Sequence, residues 1–300
     1  PTRVLDLGYE GQTPLKADIC LYETRNERAR YLTLSHCWGT SQHIVTKKDN
    51  LQLFKNGIAW KNIPNTYRDA IIFARSLGER YLWIDSLCII QDDNEDWLRE
   101  SAKMGQVYQQ SYLTIAATSA PDGAAGMYAS QTEKRRPEHR GFDESGHDMA
   151  PLLTRAWVYQ ERVLSSRVIH FCSGELVWEC NQLFACECGD VERDESQRAT
   201  QSPKLRRDRF RASIIEYGKL NLTYATDRLP AIGGIARQYS WFARGRYLTG
   251  LWEDTIVKDL QWRVKSPSKP LSYVLEGLEI LKEGPEETKV FVAPSWSWAA

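Results

Sequence analysis

A tryptophan and a glutamate at helical spacing are the residues of this chain that most strongly suggest chemistry. Trp157 and Glu161 lie four positions apart in RAWVYQERVLSSRVIHF (155–171), so they share one face if this segment is a helix. A carboxylate beside an aromatic ring could bind sugar hydroxyls while the ring stacks on a planar group. Arg155 and Arg162 could pair with phosphate. The alternative is structural, with Trp157 in the core and Glu161 paired to one of these arginines.

Polar residues also follow two apolar segments that we interpret as neighbouring parallel strands. RYLWIDSLCIIQDD (80–93) carries Asp85 and ends near Gln91. Apolar and polar residues alternate in the other segment, YLTLSHCWG (31–39), which ends in a turn that contains glycine. Because ligands bind at the carboxyl edge of open α/β sheets, we expect Glu161 to face a cleft there. The segment of residues 31–39 brings five candidate residues to this edge: Ser35, His36, Cys37, Trp38 and Gly39.

Alternating strand and helix patterns between residues 31 and 119 would position these side chains. IPNTYRDAIIFARSLG (63–78) and NEDWLRESAKMGQVYQQS (94–111) each predict one helix, the first between Pro64 and Gly78 and the second with acidic residues at its start. Such a run predicts a parallel, doubly wound sheet. In residues 1–30 apolar and polar side chains alternate, which predicts an antiparallel hairpin at the edge of this sheet.

The second half of the chain is predicted to add a hairpin and helices. Residues 120–150 are polar and rich in glycine, which predicts a mobile loop. SRVIHFCSGELVWECNQLFACECG (166–189) indicates a β-hairpin whose His170 could form the floor of a pocket. Charge dominates residues 190–211, where we expect little ordered structure. Residues 211–240 predict a helix, a turn and a second helix, and the closing WRV and PSWSWA segments are expected to fold back on the sheet.

Three blocks of this sequence, in order, resemble the fungal heterokaryon-incompatibility (HET) domain. They are LSHCWG, then WIDSLCIIQDD with EDWLRESAKMGQVYQQSYLTIAATS, and finally RAWVYQER. The resemblance spans about residues 3–187. It implies a role in allorecognition and programmed cell death, with self-association or a cognate incompatibility partner as the candidate interactions. We therefore expect a HET domain at 1–189, and a charged linker with a helical extension packed on the core at 190–300.

The order of elements is also similar to Toll/interleukin-1 receptor (TIR) domains. Their W-C-x-x-E block carries the catalytic glutamate of NAD-cleaving members, and Trp157 and Glu161 take the matching positions, with Val158 in place of the cysteine. This resemblance implies a TIR-like α/β fold, with a parallel sheet flanked by helices, and NAD as a substrate. Neither a GxGxxG nor a P-loop occurs, so NAD is not expected to be a bound cofactor.

Two other functions remain open. In a thiol enzyme, Cys37 would be the nucleophile, His170 or His43 the base, and Asp85 its orienting partner. His36 would not pair with Cys37, because adjacent strand residues point to opposite faces. In a noncatalytic signalling and self-association module, the same motifs would only stabilise the fold.

Composition limits the possible functions and partners. The 300 residues contain 39 basic and 39 acidic side chains, a balance that disfavours nonspecific nucleic-acid binding. No apolar run reaches the length of a membrane span, so a cytoplasmic protein is expected. Seven irregularly spaced cysteines predict reduced, mostly buried thiols, and the C-x-C pair without flanking histidines predicts no metal site. Because the chain starts at Pro1 and closes on a tryptophan-rich motif, we expect a fragment of a longer protein.

Overall fold

The structure is a computed structural model that describes residues 1–9, 11–25, 27–39, 44–128, 150–194, 203–241, 243–262, 293–294 and 297–299. Its strands are β1 (Arg3–Asp6), β2 (Cys20–Glu23), β3 (Leu32–Ser35), β4 (Tyr81–Trp83), β5 (Leu113–Ala116), β6 (Arg167–Phe171), β7 (Leu176–Cys180), β8 (Leu183–Cys186), β9 (Glu192–Asp194), β10 (Tyr247–Leu248) and β11 (Leu251–Trp252).

The α-helices are α1 (Leu51–Asn56), α2 (Asn65–Ser76), α3 (Asp85–Cys88), α4 (Asn94–Ser101), α5 (Met104–Gln110), α6 (Ala156–Leu164), α7 (Pro203–Tyr217), α8 (Pro230–Ser240) and α9 (Ile256–Asp259). Short 3-10 helices occupy Trp60–Asn62, Pro151–Thr154, Ala225–Asp227 and Glu253–Thr255. In the described part of the chain, none of these helices combines the length and the apolar character that a membrane-spanning helix requires.

A parallel core of four strands lies in the middle of a nine-stranded sheet. The strand order is β2-β1-β4-β3-β5-β6-β7-β8-β9, and β4, β3, β5 and β6 pair in parallel. All four residues of β3 and of β5 are buried, as expected for strands covered on both faces. The predicted α/β class and the parallel pairing of residues 31–39 with 80–93 are therefore confirmed.

Antiparallel strands extend this core at both ends, and these are the predicted hairpin additions. β1 pairs with β2 on one side and with β4 on the other, both antiparallel. At the opposite end β6, β7, β8 and β9 form an antiparallel series, so the hairpin predicted for residues 166–189 is present and gains further strands.

The second parallel strand is shorter than the sequence indicates. We expected residues 80–93 to form a strand with Asp85 inside it, but β4 ends at Trp83 and a helical turn begins at Asp85. The Asp85 carboxylate accepts a hydrogen bond of 2.7 Å from the amide of Ser86, and the amide of Cys88 bonds to the carbonyl of Ile84 at 2.8 Å. These local bonds replace the strand ladder where the pairing of β4 ends.

The helix predicted over residues 94–111 is two helices. Asp93 caps the first, α4, by accepting hydrogen bonds from two amides of its first turn. After α4 the chain forms a tighter turn, in which the amide of Lys103 donates to the carbonyl of Glu100, three residues earlier, at 3.0 Å. Helix α5 then starts at Met104. Helix α2 and the helix that carries Glu161 form as predicted.

Of the three apolar clusters in the described residues, the two larger ones organise the interior, and α6 contacts both. The larger lies on the sheet. The smaller is built around Phe210, Tyr239 and Trp252, and it includes Ala156 and Leu164 of α6. The helix that carries Glu161 is therefore packed between the sheet and the C-terminal helices.

The C-terminal half differs from the expectation in two respects. Residues 190–211 contain β9 and the start of α7, where little order was expected. In the PSWSWA ending, Trp298 packs on the smaller cluster rather than on the sheet: its indole donates to the carbonyl of Gly250 at 2.9 Å and its ring lies edge-on to Tyr217. A tryptophan with a bonded indole and an aromatic neighbour is satisfied there. Residues 129–149, most of the predicted mobile loop, residues 263–264 of WRV and residues 295–296 of PSWSWA lie outside the described residues.

All seven cysteines are free thiols, as predicted. The expectation that most are buried is wrong. Cys37 and Cys88 are buried, whereas the remaining five are partly or fully exposed because they lie on the antiparallel ends of the sheet and their turns.

Candidate functional site

The hydroxyl of Ser35 and the carboxylate of Glu161 meet at the carboxyl edge of the parallel core. Ser35 is the last residue of β3, and its Oγ donates a hydrogen bond of 2.6 Å to Oε2 of Glu161 on α6. Both side chains are buried, with 2% and 5% of their surfaces exposed. Strand β3 therefore supplies a polar group directly to the carboxylate that the sequence indicated.

The Glu161 carboxyl holds its proton more tightly than a glutamate in water. Burial, and then the negative charge of nearby Asp85, raise the pKa of Glu161 to about 7. Hydrogen bonds from Ser35 and Tyr108 and the positive charge of Arg155 oppose this rise. A carboxyl with a pKa near neutrality can exchange a proton at physiological pH, as acid–base groups in enzymes do.

Asp85 is a second carboxylate at this edge, and it has its own set of partners. Its Oδ2 accepts a hydrogen bond of 2.9 Å from the indole nitrogen of Trp38, and Nδ1 of His36 lies 3.8 Å from its Oδ1. The other ring nitrogen of His36 is 2.7 Å from the hydroxyl of Tyr67, which is itself 2.9 Å from Oγ of Ser86. Buried polar groups thus surround Asp85, although 21% of its own side chain reaches solvent.

Arg155 adds a positive charge at the rim of the cluster. Its guanidinium donates a hydrogen bond of 3.2 Å to the carbonyl of His36 and is close enough to Glu161 to lower its pKa. Arg155 and Trp38 are partly exposed, like Asp85. Among the described residues of the cluster, these three side chains are the ones that a ligand arriving from solvent would meet first.

Gly39 and Gln91 support the loops of the site. The backbone of Gly39 has a φ of +68°, and a Cβ atom there would lie 2.3 Å from Cβ of Asp122. The side-chain amide of Gln91 donates to the backbone carbonyls of Asp85 and Ile89, at 3.2 and 3.1 Å. Both residues therefore determine the backbone conformation of these loops. In this conformation the side-chain amide of Gln91 binds backbone carbonyls of the protein.

Three predicted binding residues have partners outside this cluster. The indole of Trp157 donates to Asp227 in the C-terminal region. Arg162 forms an ion pair with Glu179, at 2.6 Å. His170 also bonds to Glu179, at 3.1 Å, and its other nitrogen lies 3.0 Å from Oγ1 of Thr118, so both ring nitrogens have protein partners.

Glu179 explains why Arg162 and His170 are held away from the site. Although its burial works in the opposite direction, the contacts with His170 and Arg162 lower the pKa of Glu179 to about 2. A carboxylate that stays ionised holds its cationic and hydrogen-bonding partners firmly. This residue belongs to β7, which the sequence showed only as part of a hairpin.

Cys37 lies in an apolar setting. It is buried with Ala116, Leu152, Val158 and Val168, and this burial raises the pKa of its thiol, although the charge and a hydrogen bond of nearby Arg155 oppose the rise. The two ring nitrogens of His36 face Tyr67 and Asp85, and His43 lies outside the described residues. A thiol in these surroundings has little of the thiolate character that a nucleophile needs.

Tyr108 and Tyr67 are site residues that the sequence did not reveal. The hydroxyl of Tyr108, from α5, donates to the carbonyl of Leu34 at 3.1 Å and also lies against the Glu161 carboxyl, whose pKa it lowers. Tyr67 comes from α2. Both tyrosines sit at buried positions of helices, where the pattern alone gives only an apolar face, so no spacing marks them as polar partners.

One family model matches the part of the chain that contains this cluster. The family model described as "Heterokaryon incompatibility protein (HET)" matches residues 31–161, from the start of β3 to the glutamate of α6. No curated protein and no solved structure matches the chain significantly. Ser35, Asp85, Tyr108 and Glu161 all fall inside the matched segment.

Proposed function

Because residues 31–161 are a heterokaryon incompatibility (HET) domain, we propose that this domain is a hydrolase that cleaves the bond between nicotinamide and ribose in NAD. The observation that carries the proposal is the pair of carboxyl groups, Glu161 and Asp85, at the carboxyl edge of the parallel core. A pair of carboxyl groups with separate roles is what hydrolysis of a glycosidic bond uses.

Each side chain has a role in this reaction. The bond between C1 of the ribose and the ring nitrogen breaks, its electrons leave with nicotinamide as a neutral pyridine, and positive charge develops on the ribose. Asp85, partly exposed and fixed by Trp38, stabilises that charge. Glu161, with a pKa near 7, takes the proton of the attacking water in its ionised form.

The rim residues suggest how the rest of NAD binds. Arg155 is placed to pair with the pyrophosphate, since a guanidinium matches phosphate oxygens in two parallel hydrogen bonds. Trp38 takes over the stacking role that the sequence assigned to Trp157, because the Trp38 ring lies beside Asp85 and is partly exposed. In this proposal NAD is a substrate, and NAD loss in the cytoplasm would let incompatible cells arrest and die.

The test is the release of nicotinamide from NAD by purified protein, followed by chromatography. We expect the wild-type protein to release nicotinamide from NAD over many catalytic cycles. Glu161→Gln and Asp85→Asn should each lose roughly 100-fold or more in rate, the few kcal/mol usual for one electrostatic contact. Glu95→Gln, an exposed glutamate of α4, is the matched control and should keep its rate.

Two additional measurements make the assignment of roles specific. The rate should rise with pH through about 7 in wild type, because Glu161 acts as its carboxylate. Alkylation of exposed thiols should leave turnover unchanged. Wild-type protein that releases no nicotinamide, or a Glu161→Gln variant with full activity and normal folding, would overturn the proposal.

A noncatalytic signalling and self-association module is the second candidate. It is favoured by the burial of Glu161 and its hydrogen bonds to Ser35 and Tyr108, which would also suit a purely structural carboxyl. In that case NAD would not be consumed, and the concentration dependence of sedimentation would show assembly that the Glu161→Gln variant retains. The thiol-enzyme alternative is favoured least, because burial raises the pKa of the Cys37 thiol despite the nearby Arg155.

A further inference from the structure

Three potential metal ligands meet at two turns of the antiparallel end of the sheet. Glu175 lies in the turn between β6 and β7, Cys186 is the last residue of β8, and Cys188 follows two positions later. A carboxylate oxygen and the two sulfur atoms all lie within 4.8 Å of one another. These residues are separate from the cluster around Ser35 and Glu161.

The two sulfur atoms are unusually close for unbonded thiols. Sγ of Cys186 and Sγ of Cys188 are 2.9 Å apart, closer than ordinary contact between sulfur atoms. The separation is nevertheless far longer than a disulfide bond of about 2.05 Å. Two sulfurs that converge without bonding can share a third atom once they move apart to the roughly 3.8 Å that bonds of about 2.3 Å to a tetrahedral ion require.

Backbone hydrogen bonds fix the ligands in place. The amide of Val191 donates to Sγ of Cys186 at 3.2 Å. The amide of Cys188 donates to the Glu175 carboxylate at 3.4 Å, and the amide of Glu187 donates to the carbonyl of Leu176 at 2.9 Å. The two turns are therefore joined by the chain itself, so the ligands need little ordering before an ion binds.

We propose that Cys186, Cys188 and Glu175 bind one thiophilic divalent ion of the zinc class. Two thiolates and a carboxylate match the sulfur and oxygen ligands that such an ion prefers, and water would fill the fourth position of a tetrahedral site. On binding, both thiols release their protons to solvent, and the three negative charges outweigh the two positive charges of the ion. Cys188 is exposed, so the ion can enter without unfolding.

The sequence predicted no metal here because a C-x-C pair alone is not a zinc spacing. The third ligand comes from a different turn, which antiparallel pairing brings alongside: Val177 of β7 lies opposite Cys186 of β8. Strand register, which spacing within one motif does not reveal, completes the set. The ion would tie together the two turns at this end of the sheet.

The test uses the full chain, reduced and metal-free, titrated with Co²⁺ under nitrogen. We expect one equivalent to bind with a thiolate-to-cobalt charge-transfer band, and Zn²⁺ to displace it. Cys186→Ser and Cys188→Ser should abolish the band, while Glu175→Gln should weaken binding by roughly tenfold or more, about 1.4 kcal/mol or more. Cys180→Ser, at the opposite end of β7, is the matched control and should bind as wild type does.

Several results would overturn the proposal. They are the absence of a stoichiometric cobalt band, a band that survives in Cys188→Ser, and a band lost equally in Cys180→Ser. Mass spectrometry gives an independent reading: protein that stays two hydrogens lighter through a Cys186–Cys188 disulfide under the reducing conditions used, and takes up no metal, would show redox pairing instead. Circular dichroism of each variant checks that the sheet has folded.

Discussion

The indole nitrogen of Trp157 donates a hydrogen bond of 3.0 Å to a carboxylate oxygen of Asp227. This bond joins the helix that carries Glu161 to the 3-10 helix Ala225–Asp227 in the C-terminal region. Two more residues of α6 reach the same region, since Gln160 accepts a hydrogen bond from the amide of Gly234 and Tyr159 donates one to Glu216. Helix α6 is therefore held on one side by Ser35 and on the other by the C-terminal helices.

Removing the Trp157–Asp227 bond should destabilise the protein by an amount that a double-mutant cycle can isolate. We expect Trp157→Phe and Asp227→Ala to be coupled by about 1 kcal/mol, the net contribution usual for one partly buried hydrogen bond. The measurement is urea unfolding of the two single variants and the double variant. Asp49→Ala, an exposed aspartate, is the control. Strictly additive effects at 157 and 227 would contradict the bond.

Glu161 should make stability fall as pH rises from about 4.5 to about 7. Its folded-state pKa of about 7 exceeds the ordinary 4.5, so the folded protein binds the extra proton in this window and loses that advantage as the proton leaves. Because one pKa unit corresponds to about 1.4 kcal/mol, the loss should approach about 3 kcal/mol. Glu161→Gln should remove it. Equal pH slopes for wild type and the variant in urea unfolding would refute this prediction.

Tyr108→Phe should raise the pKa of Glu161 further. The Tyr108 hydroxyl stabilises the ionised carboxyl, so its removal favours the proton. The pH midpoint of the Glu161-dependent change in stability should move upward, while Tyr31→Phe, whose hydroxyl bonds to the carbonyl of Val107, should leave it in place. A midpoint that is unchanged in Tyr108→Phe would show that the hydroxyl does not act on Glu161.

Alanine at two glycines of the helical region should have opposite effects. A Cβ on Gly105 of α5 would lie 2.7 Å from the Cα of Gly234, so Gly105→Ala should force α5 and α8 apart and cost about 2 kcal/mol. A Cβ on Gly233 would meet no atom within 4 Å, so Gly233→Ala should stabilise α8 by about 1 kcal/mol. Thermal unfolding compares them. Equal shifts would mean that α5 and α8 are not in close contact.

Gly39→Ala should be more damaging than Gly11→Ala. Both glycines have positive φ, +68° and +71°, so each substitution carries a similar backbone cost of about 1 kcal/mol. Only at Gly39 does the new Cβ collide with Asp122, whereas nothing lies within 4 Å at Gly11. The difference between the two unfolding free energies measures the collision. If Gly11→Ala were equally damaging, the contact with Asp122 would carry no weight.

The parts of the fold that the sequence predicted are those with a clear local period. The strand of residues 31–39, the helix of residues 63–78 and the helix that carries Glu161 were all recognisable because apolar residues recur at strand or helix spacing. The end of β4 was not recognisable, because the apolar sequence IDSLCII after Trp83 fits a strand as well as a turn. The hydrogen bond between Asp85 and Ser86 decides between the two.

The candidate site was predictable in location but not in membership. The rule that polar groups gather at the carboxyl edge of parallel strands brought Ser35, Asp85 and Glu161 to the same place. Helical spacing put Trp157 on the same face as Glu161, but it could not show that Asp227, far along the chain, would bind the indole. Tyr108 needed the packing of α5 against α6, which no sequence period encodes.

The outermost strands limit how the sheet can be extended. At one end, β9 has only three residues, all charged: Glu192, Arg193 and Asp194. At the other, Ile58 exchanges two backbone hydrogen bonds with Ile19, directly before β2, and Lys55 of α1 pairs with Glu23. Short, charged or covered edges discourage strand addition and the aggregation that follows from it. We therefore expect a second copy of this protein to dock through side-chain surfaces instead of continuing the sheet.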